Sequence, residues 1–275
     1  MFDGQCWWIT GASSGIGAGL ARALAARGAT LILSGRNVAA LETVARECGG
    51  EALVLPFEAT DYAAIPALAE RAWAWKGRIH GLVNNAGVSQ RSLAVDTAFA
   101  VYERMIAIDL LAPIALTQAV LPRMVQAGGG RIVAMSSVAG FIGAPLRSAY
   151  SAAKHGLVGY HDAVRAENGH LGIHVHVFAP GSVQTNVSKN ALLADGSTRG
   201  VSDSAIENGM PVAEAADAML AAIADDKPEL ILAAGMEYEI VKLRRQDPET
   251  CFAQLSTMVS SGYAQAMAAD TGSKS

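Results

Sequence analysis

The chain has 275 residues, of which 51% are hydrophobic and 17% charged, a globular composition that excludes a disordered chain. Its net charge is −4 and the basic residues are scattered, which argues against a surface for nucleic acid or an acidic membrane. The length suffices for one large domain with a substantial core.

In chain order, CWWIT (6–10), TLILS (30–34), ALVLPF (52–57), GLVNN (81–85), RIVAMS (131–136), IHVHVF (173–178) and ELILA (229–233) read as strands. They are continuously apolar without clean alternation, as in strands buried on both faces. Between them, helical patterns fall at about 15–27, 37–48, 61–76, 99–127, 148–169 and 212–226. This alternation predicts an α/β fold, a doubly wound parallel seven-stranded sheet with helices on both faces (Rossmann fold). Ligands then sit outside the carboxyl ends of the strands.

The rhythm covers one domain, 1–275, with two departures. Residues 181–211 are polar and glycine-dotted, and 186–211 reads as a substrate lid. The stretch 236–275 reads as an irregular C-terminal extension with helical parts and a frayed end, DTGSKS. Cys6, Cys48 and Cys251 are odd in number and far apart, which fits reduced thiols in a cytoplasmic protein. The N-terminus has no basic region followed by an apolar one, so no signal peptide is expected, and no stretch reads as a membrane span.

The first strand runs directly into TGASSGIGAGLA. Gly11, Gly15 and Gly17 leave room for a tight turn, for close approach of a pyrophosphate and for helix–strand packing. The helix starting near Gly15 aims free amides and its positive dipole end at the phosphates, with Ser13, Ser14 and Ile16 around them. In dinucleotide folds a carboxylate about 20 residues further on holds the ribose 2′-hydroxyl. Here Gly35 takes that place and Arg36 follows, which favours a 2′-phosphate and hence NADP over NAD.

TGASSGIG, NNAG (84–87), a serine thirteen residues before Tyr150 in YSAAK, and PGSVQT (180–185) occur in that order. Together they resemble the short-chain dehydrogenase/reductase family over about residues 5 to 233, and TNVSKNALLADGS more loosely resembles its dehydrogenase/reductase member 7 branch. The resemblance implies Tyr150 as proton donor or acceptor, Lys154 as its tuner and ribose ligand, and Ser137 as a clamp on the substrate oxygen. It places Asn85, Ala86, Gly87, Glu58 and Ala59 along the adenosine side, and Pro180, Gly181, Val183 and Thr185 on the nicotinamide side. It also implies a homodimer or homotetramer, formed through helices corresponding to 99–127 and 148–169.

The chemistry asks for the same parts. A carbonyl oxygen gaining charge needs hydrogen-bond donors and a proton. Free tyrosine has a pKa near 10, and an ammonium one helical turn away favours its phenolate. Ser136 is expected to face away from Ser137. Asp109 stands where the family commonly has asparagine. As a carboxylate beside Tyr150 it is expected to disfavour phenolate and bias the enzyme toward carbonyl reduction.

Other candidates are weaker. His174 and His176 share a strand face but lack a third ligand, so no metal is expected. His155 and His161 read as structural. Arg91 and Arg147 are candidate anchors for an acidic substrate, with solvated loop residues as the alternative. Leu192, Leu193, Met210, Val88, Phe141 and Leu146 suggest an apolar pocket for a small-molecule substrate. The expected function is an NADP(H)-dependent ketone or aldehyde reductase, or the reverse alcohol dehydrogenase. The alternatives are an NAD(H)-linked enzyme and a catalytically weak dinucleotide-binding regulator.

Overall fold

The computed structural model describes residues 1–270; of the frayed end expected over 270–275, Asp270 is instead held by Arg199 and Ser204, and the rest lies outside the described residues. Seven parallel strands form one sheet: β1 (Cys6–Thr10), β2 (Thr30–Ser34), β3 (Ala52–Val54), β4 (Gly81–Asn84), β5 (Gly130–Met135), β6 (Ile173–Pro180) and β7 (Glu229–Leu232), in the order β3-β2-β1-β4-β5-β6-β7. The order reverses between β1 and β4, and there the crossovers leave the sheet on opposite faces and open a crevice. The regular part of β3 ends at Val54, short of the expected residue 57, although the Leu55 and Phe57 amides still bond the carbonyls of Leu33 in β2 and Gly35 just after it.

The helices are α1 (Gly15–Ala25), α2 (Val38–Cys48), α3 (Ile65–Lys76), α4 (Phe99–Ile106), α5 (Ala112–Gln126), α6 (Ser148–Asn168), α7 (Ser204–Glu207), α8 (Val212–Ala224), α9 (Gly235–Gln246), α10 (Pro248–Ser260) and α11 (Tyr263–Ala269). Alternate residues of β1 point to opposite faces. Trp7 and Ile9 pack against α1, α2 and α8, while Cys6 and Trp8 pack against α3, α5 and α6. Trp8 satisfies its indole N–H on Ser34 Oγ at 2.8 Å, and Ser34 donates onward to the Leu55 carbonyl.

One irregularity interrupts the expected helix 99–127. Ala107–Leu111 is a π segment joining α4 to α5, with the Ala112 amide reaching back to the Ala107 carbonyl. Pro113, just downstream, has no N–H to return to the Asp109 carbonyl, which removes the ordinary i to i−4 bond there. The run Phe99–Gln126 is long and apolar enough to cross a membrane, but Val101, Met105, Leu116, Val120 and Met124 are buried against the rest of the fold.

Candidate active site

The end of β1 is stapled to the loop after β4. Thr10 Oγ1 accepts from the Asn85 and Ala86 amides at 3.0 Å each, and Asn85 Nδ2 donates to the Thr10 carbonyl at 2.9 Å. Thr10 is a buried residue that sequence reasoning did not single out. Gly11 adopts φ +64°, and a Cβ there would lie 2.8 Å from Ala86 Cα. A Cβ on Gly17 would lie 2.4 Å from the Gly11 carbonyl oxygen and 2.5 Å from Asn85 Nδ2. Gly17 is therefore corrected from a cofactor contact to a packing position: it is buried behind the loop and does not line the cavity.

The other expected residues gather around one cavity of about 450 Å³ at the crevice. Gly11 and Ser13–Ile16 form its floor. Arg36, Glu58 and Ala59 lie toward the β2–β3 edge, and Asn85–Gly87 lie beside the switch point. Pro180, Gly181, Val183 and Thr185 form the far wall, where Ser137, Tyr150, Lys154 and Asp109 also line the space. Ser14 precedes α1 without a side-chain cap, so the first-turn amides are left open. Open amides, glycines without room for a Cβ and a cationic rim residue fit a bound dinucleotide.

Lys154 is buried with its Nζ 3.0 Å from the Met135 carbonyl and 3.1 Å from Asp109 Oδ2, an ion-pair distance. Asp109 is 0% exposed. Its Oδ1 accepts from the Val88 amide at 2.9 Å, while Oδ2 accepts no hydrogen bond of ordinary geometry. Burial, the largest single influence, pulls the Lys154 ammonium toward a lower pKa, but Asp109 and Tyr150 together outweigh it and leave the value raised. Burial pushes the Asp109 carboxyl up, with Lys154 and the Val88 amide opposing. The charge expected to act directly on Tyr150 is thus engaged with Lys154, whose Nζ lies 5.5 Å from the Tyr150 ring centre.

Ser137 Oγ donates to the Pro180 carbonyl at 3.3 Å and accepts from the Ala139 amide. Ser136 directs its hydroxyl to the Lys154 carbonyl instead. The first turn of α6 has no side-chain cap from Arg147; its cap comes from Gln90. Gln90 Oε1 accepts from the Ala149 amide at 2.8 Å and the Tyr150 amide at 3.4 Å, and its Nε2 donates to Ser92 and Thr97. Gln90 is wholly buried and was not anticipated, because a cap 59 residues away leaves no local signal.

The segment expected to form a lid is held on the same loop. Leu192 exchanges backbone hydrogen bonds with Ser89 and Arg91. Arg91 is not a substrate anchor, because its guanidinium is buried and pairs with Asp203 of the lid. Asp203 also pairs with Arg199, whose second nitrogen holds the carbonyls of Met267 and Asp270 at the end of α11. Arg147 does not line the cavity. Of the six apolar candidates, Val88 and Leu192 line it; Leu193, Met210, Phe141 and Leu146 do not, and Asn186, Asn190 and Thr198 do.

His174 and His176 do not form a metal site. His174 Nδ1 pairs with Asp226 at 2.8 Å, and His176 Nδ1 bonds the Lys227 carbonyl. No group of three His, Cys, Asp or Glu among the described residues is placed to hold an ion. His155 and His161 bond carbonyls one turn back on α6.

A doubly wound parallel sheet with a glycine-walled crevice, and a serine, tyrosine and lysine at one end of it, is the build of a dinucleotide-linked oxidoreductase. A family model described as short chain dehydrogenase matches residues 5–195, and the chain belongs to the short-chain dehydrogenase/reductase family. It is related to that family's member 7 branch. The chain is 39% identical over 251 residues to Dehydrogenase/reductase SDR family member 7B of Mus musculus, covering 89% of this chain and 78% of the relative. It is 41% identical over 196 residues to the Homo sapiens member 7, covering 68% and 58%. Among solved structures, a short-chain dehydrogenase from Streptomyces avermitilis superposes with a TM-score of 0.77 at 26% identity, covering 95% of this chain and 98% of that one. A Beutenbergia cavernae protein, described as a putative NAD(P) dependent gluconate 5-dehydrogenase with bound NADP, gives 0.65 at 32%, covering 68% and 75%.

Proposed function

We propose that the protein interconverts a ketone or aldehyde and the corresponding alcohol, with NADP(H) as cofactor. The observation that carries this reading is the convergence of Ser137, Tyr150 and a buried, protonated Lys154 on the cavity that the glycine loop floors. A bound dinucleotide would supply or accept the hydride. In the reducing direction Tyr150 gives its phenolic proton to the substrate oxygen as charge develops there. Ser137 redirects its hydroxyl from the long bond to the Pro180 carbonyl onto the same oxygen. Lys154, fixed by Met135 and Asp109, keeps a positive charge behind the tyrosine ring. Asp109 balances that charge.

NADP is favoured because Gly35 offers no carboxylate, and Arg36 is exposed at the cavity with no ion-pair partner among the described residues. An NAD-linked reading draws on Glu58, a carboxylate lining the same end. The wall of Val88, Val187 and Leu192, with Asn186, Asn190 and Thr198, suits a small carbonyl compound that is largely apolar and carries a polar group. The same reading includes a cytoplasmic homodimer or homotetramer, and Phe99, 75% exposed on α4, offers an apolar side chain on the expected helix 99–127.

Titration with NADPH and NADH, followed by a carbonyl panel, tests the proposal. Tighter binding of NADPH and its oxidation by at least one carbonyl are expected. Binding without turnover across the panel favours a regulatory binder, and binding of neither dinucleotide overturns the reading.

A further inference from the structure

β6 ends at Pro180, whose carbonyl is held by Ser137, and Gly181, Val183 and Thr185 of the loop that follows line the cavity. That loop is clamped from behind by the C-terminal extension, outside the segment matched by the family model. Glu237, in the first turn of α9, places Oε2 2.8 Å from the Ser182 amide and Oε1 2.8 Å from Ser182 Oγ. The carboxylate also rests against the α-carbon of Gly181: a Cβ there would lie 2.1 Å from Oε2 and 3.0 Å from Ala233 Cβ. Gly181 is not in the left-handed region, and a side chain there would have to displace the Glu237 carboxylate.

We propose that Glu237 is a positioning residue for the dinucleotide site, fixing the loop 181–185 and adding a negative charge that favours the oxidised, cationic nicotinamide over the neutral reduced form. The proposal rests on the dinucleotide reading above. Two hydrogen bonds from adjacent donors on one residue set the loop position, since a carboxylate with both oxygens engaged has little freedom to rotate. No cationic partner of Glu237 is present among the described residues to cancel its charge. A preference for the oxidised form assists reduction, because the cofactor becomes cationic as it gives up hydride.

The test is equilibrium binding of NADP⁺ and NADPH to the full chain, by calorimetry and by NADPH fluorescence, in wild type, Glu237→Gln, Glu237→Ala and Gly181→Ala. Glu237→Gln keeps an acceptor oxygen and removes the charge. It should weaken NADP⁺ relative to NADPH by about five-fold, the size of a unit charge felt over on the order of 17 Å at an effective dielectric near 20. Glu237→Ala should weaken both forms. Gly181→Ala, by expelling the carboxylate, should do the same, and the double variant should be no weaker than either single one. A loop role alone would leave the NADP⁺/NADPH affinity ratio unchanged, so an unchanged ratio in Glu237→Gln overturns the electrostatic part. Wild-type affinity for both forms in Glu237→Ala overturns the positioning part. If wild type binds neither form, the dinucleotide reading itself fails, which is a distinct result.

Discussion

Lys154 and Asp109 form a buried ion pair, with Nζ 3.1 Å from Oδ2, at the point where the helix carrying Tyr150 passes the π segment between α4 and α5. The tyrosine proposed as proton donor, the ammonium and the carboxylate thus form a group whose formal charges cancel, and its proton affinity belongs to the group.

Replacing Asp109 with Asn removes the negative charge and leaves the tyrosine–lysine unit one charge more positive. Proton loss from that unit becomes easier. The high-pH limb of the reduction profile should move to lower pH, by on the order of 1–2 units for a charge at this distance. pH–rate profiles of Asp109→Asn in both reaction directions measure this; an unmoved or raised limb would refute the role.

Gln90→Leu leaves the Ala149 amide and the hydroxyls of Ser92 and Thr97 without their partner. A loss of roughly 2–3 kcal/mol in stability is expected from buried unmade hydrogen bonds. Because the Tyr150 amide is one of the capped groups, kcat should fall about ten-fold or more, with cofactor affinity little changed. Denaturant unfolding and steady-state kinetics separate the two effects.

Asp203→Ala strands two guanidiniums, Arg91 and Arg199, in a buried setting. Truncating one partner of such a cluster costs about 3–5 kcal/mol. The same change frees Arg199 from the lid side of its contact with α11, so protease sensitivity within 186–211 should rise together with the fall in denaturation midpoint.

His161 is wholly enclosed on α6, and burial lowers its pKa to about 4, with the Leu157 carbonyl opposing. The unfolded chain takes up this proton near pH 6.5, whereas the folded chain holds out until about pH 4. Stability should therefore fall as pH drops through this window, by about 3 kcal/mol from this residue at its lower end. His161→Leu should flatten that part of the curve, as read from urea midpoints between pH 4 and 7.

Strand and helix positions were legible because apolar runs and helical faces repeat over many residues, and YSAAK with its upstream serine pointed to residues that the fold brings to one cavity. Legibility ended where position depends on distant partners. Arg91 reads as a solvent-facing loop arginine until the fold brings Asp203 against it, and Gln90 reads as an ordinary polar residue until it caps α6. Gly17 lies inside a phosphate motif, yet its contacts are Gly11 and Asn85. The Asp109 substitution was visible, but its partner depended on a helix irregularity that hydrophobic periodicity does not encode.

That irregularity places the register of the helix under the control of Pro113. In an unbroken α-helix each residue advances the face by about 100°, since a turn holds 3.6 residues. The extra residue accommodated by the π turn resets which side chain meets Lys154. Restoring an amide with Pro113→Ala would allow the two helical pieces to fall into one phase and turn the carboxylate off the lysine. The charge balance of the reacting group can thus be rewired from a position that touches neither Tyr150 nor Lys154.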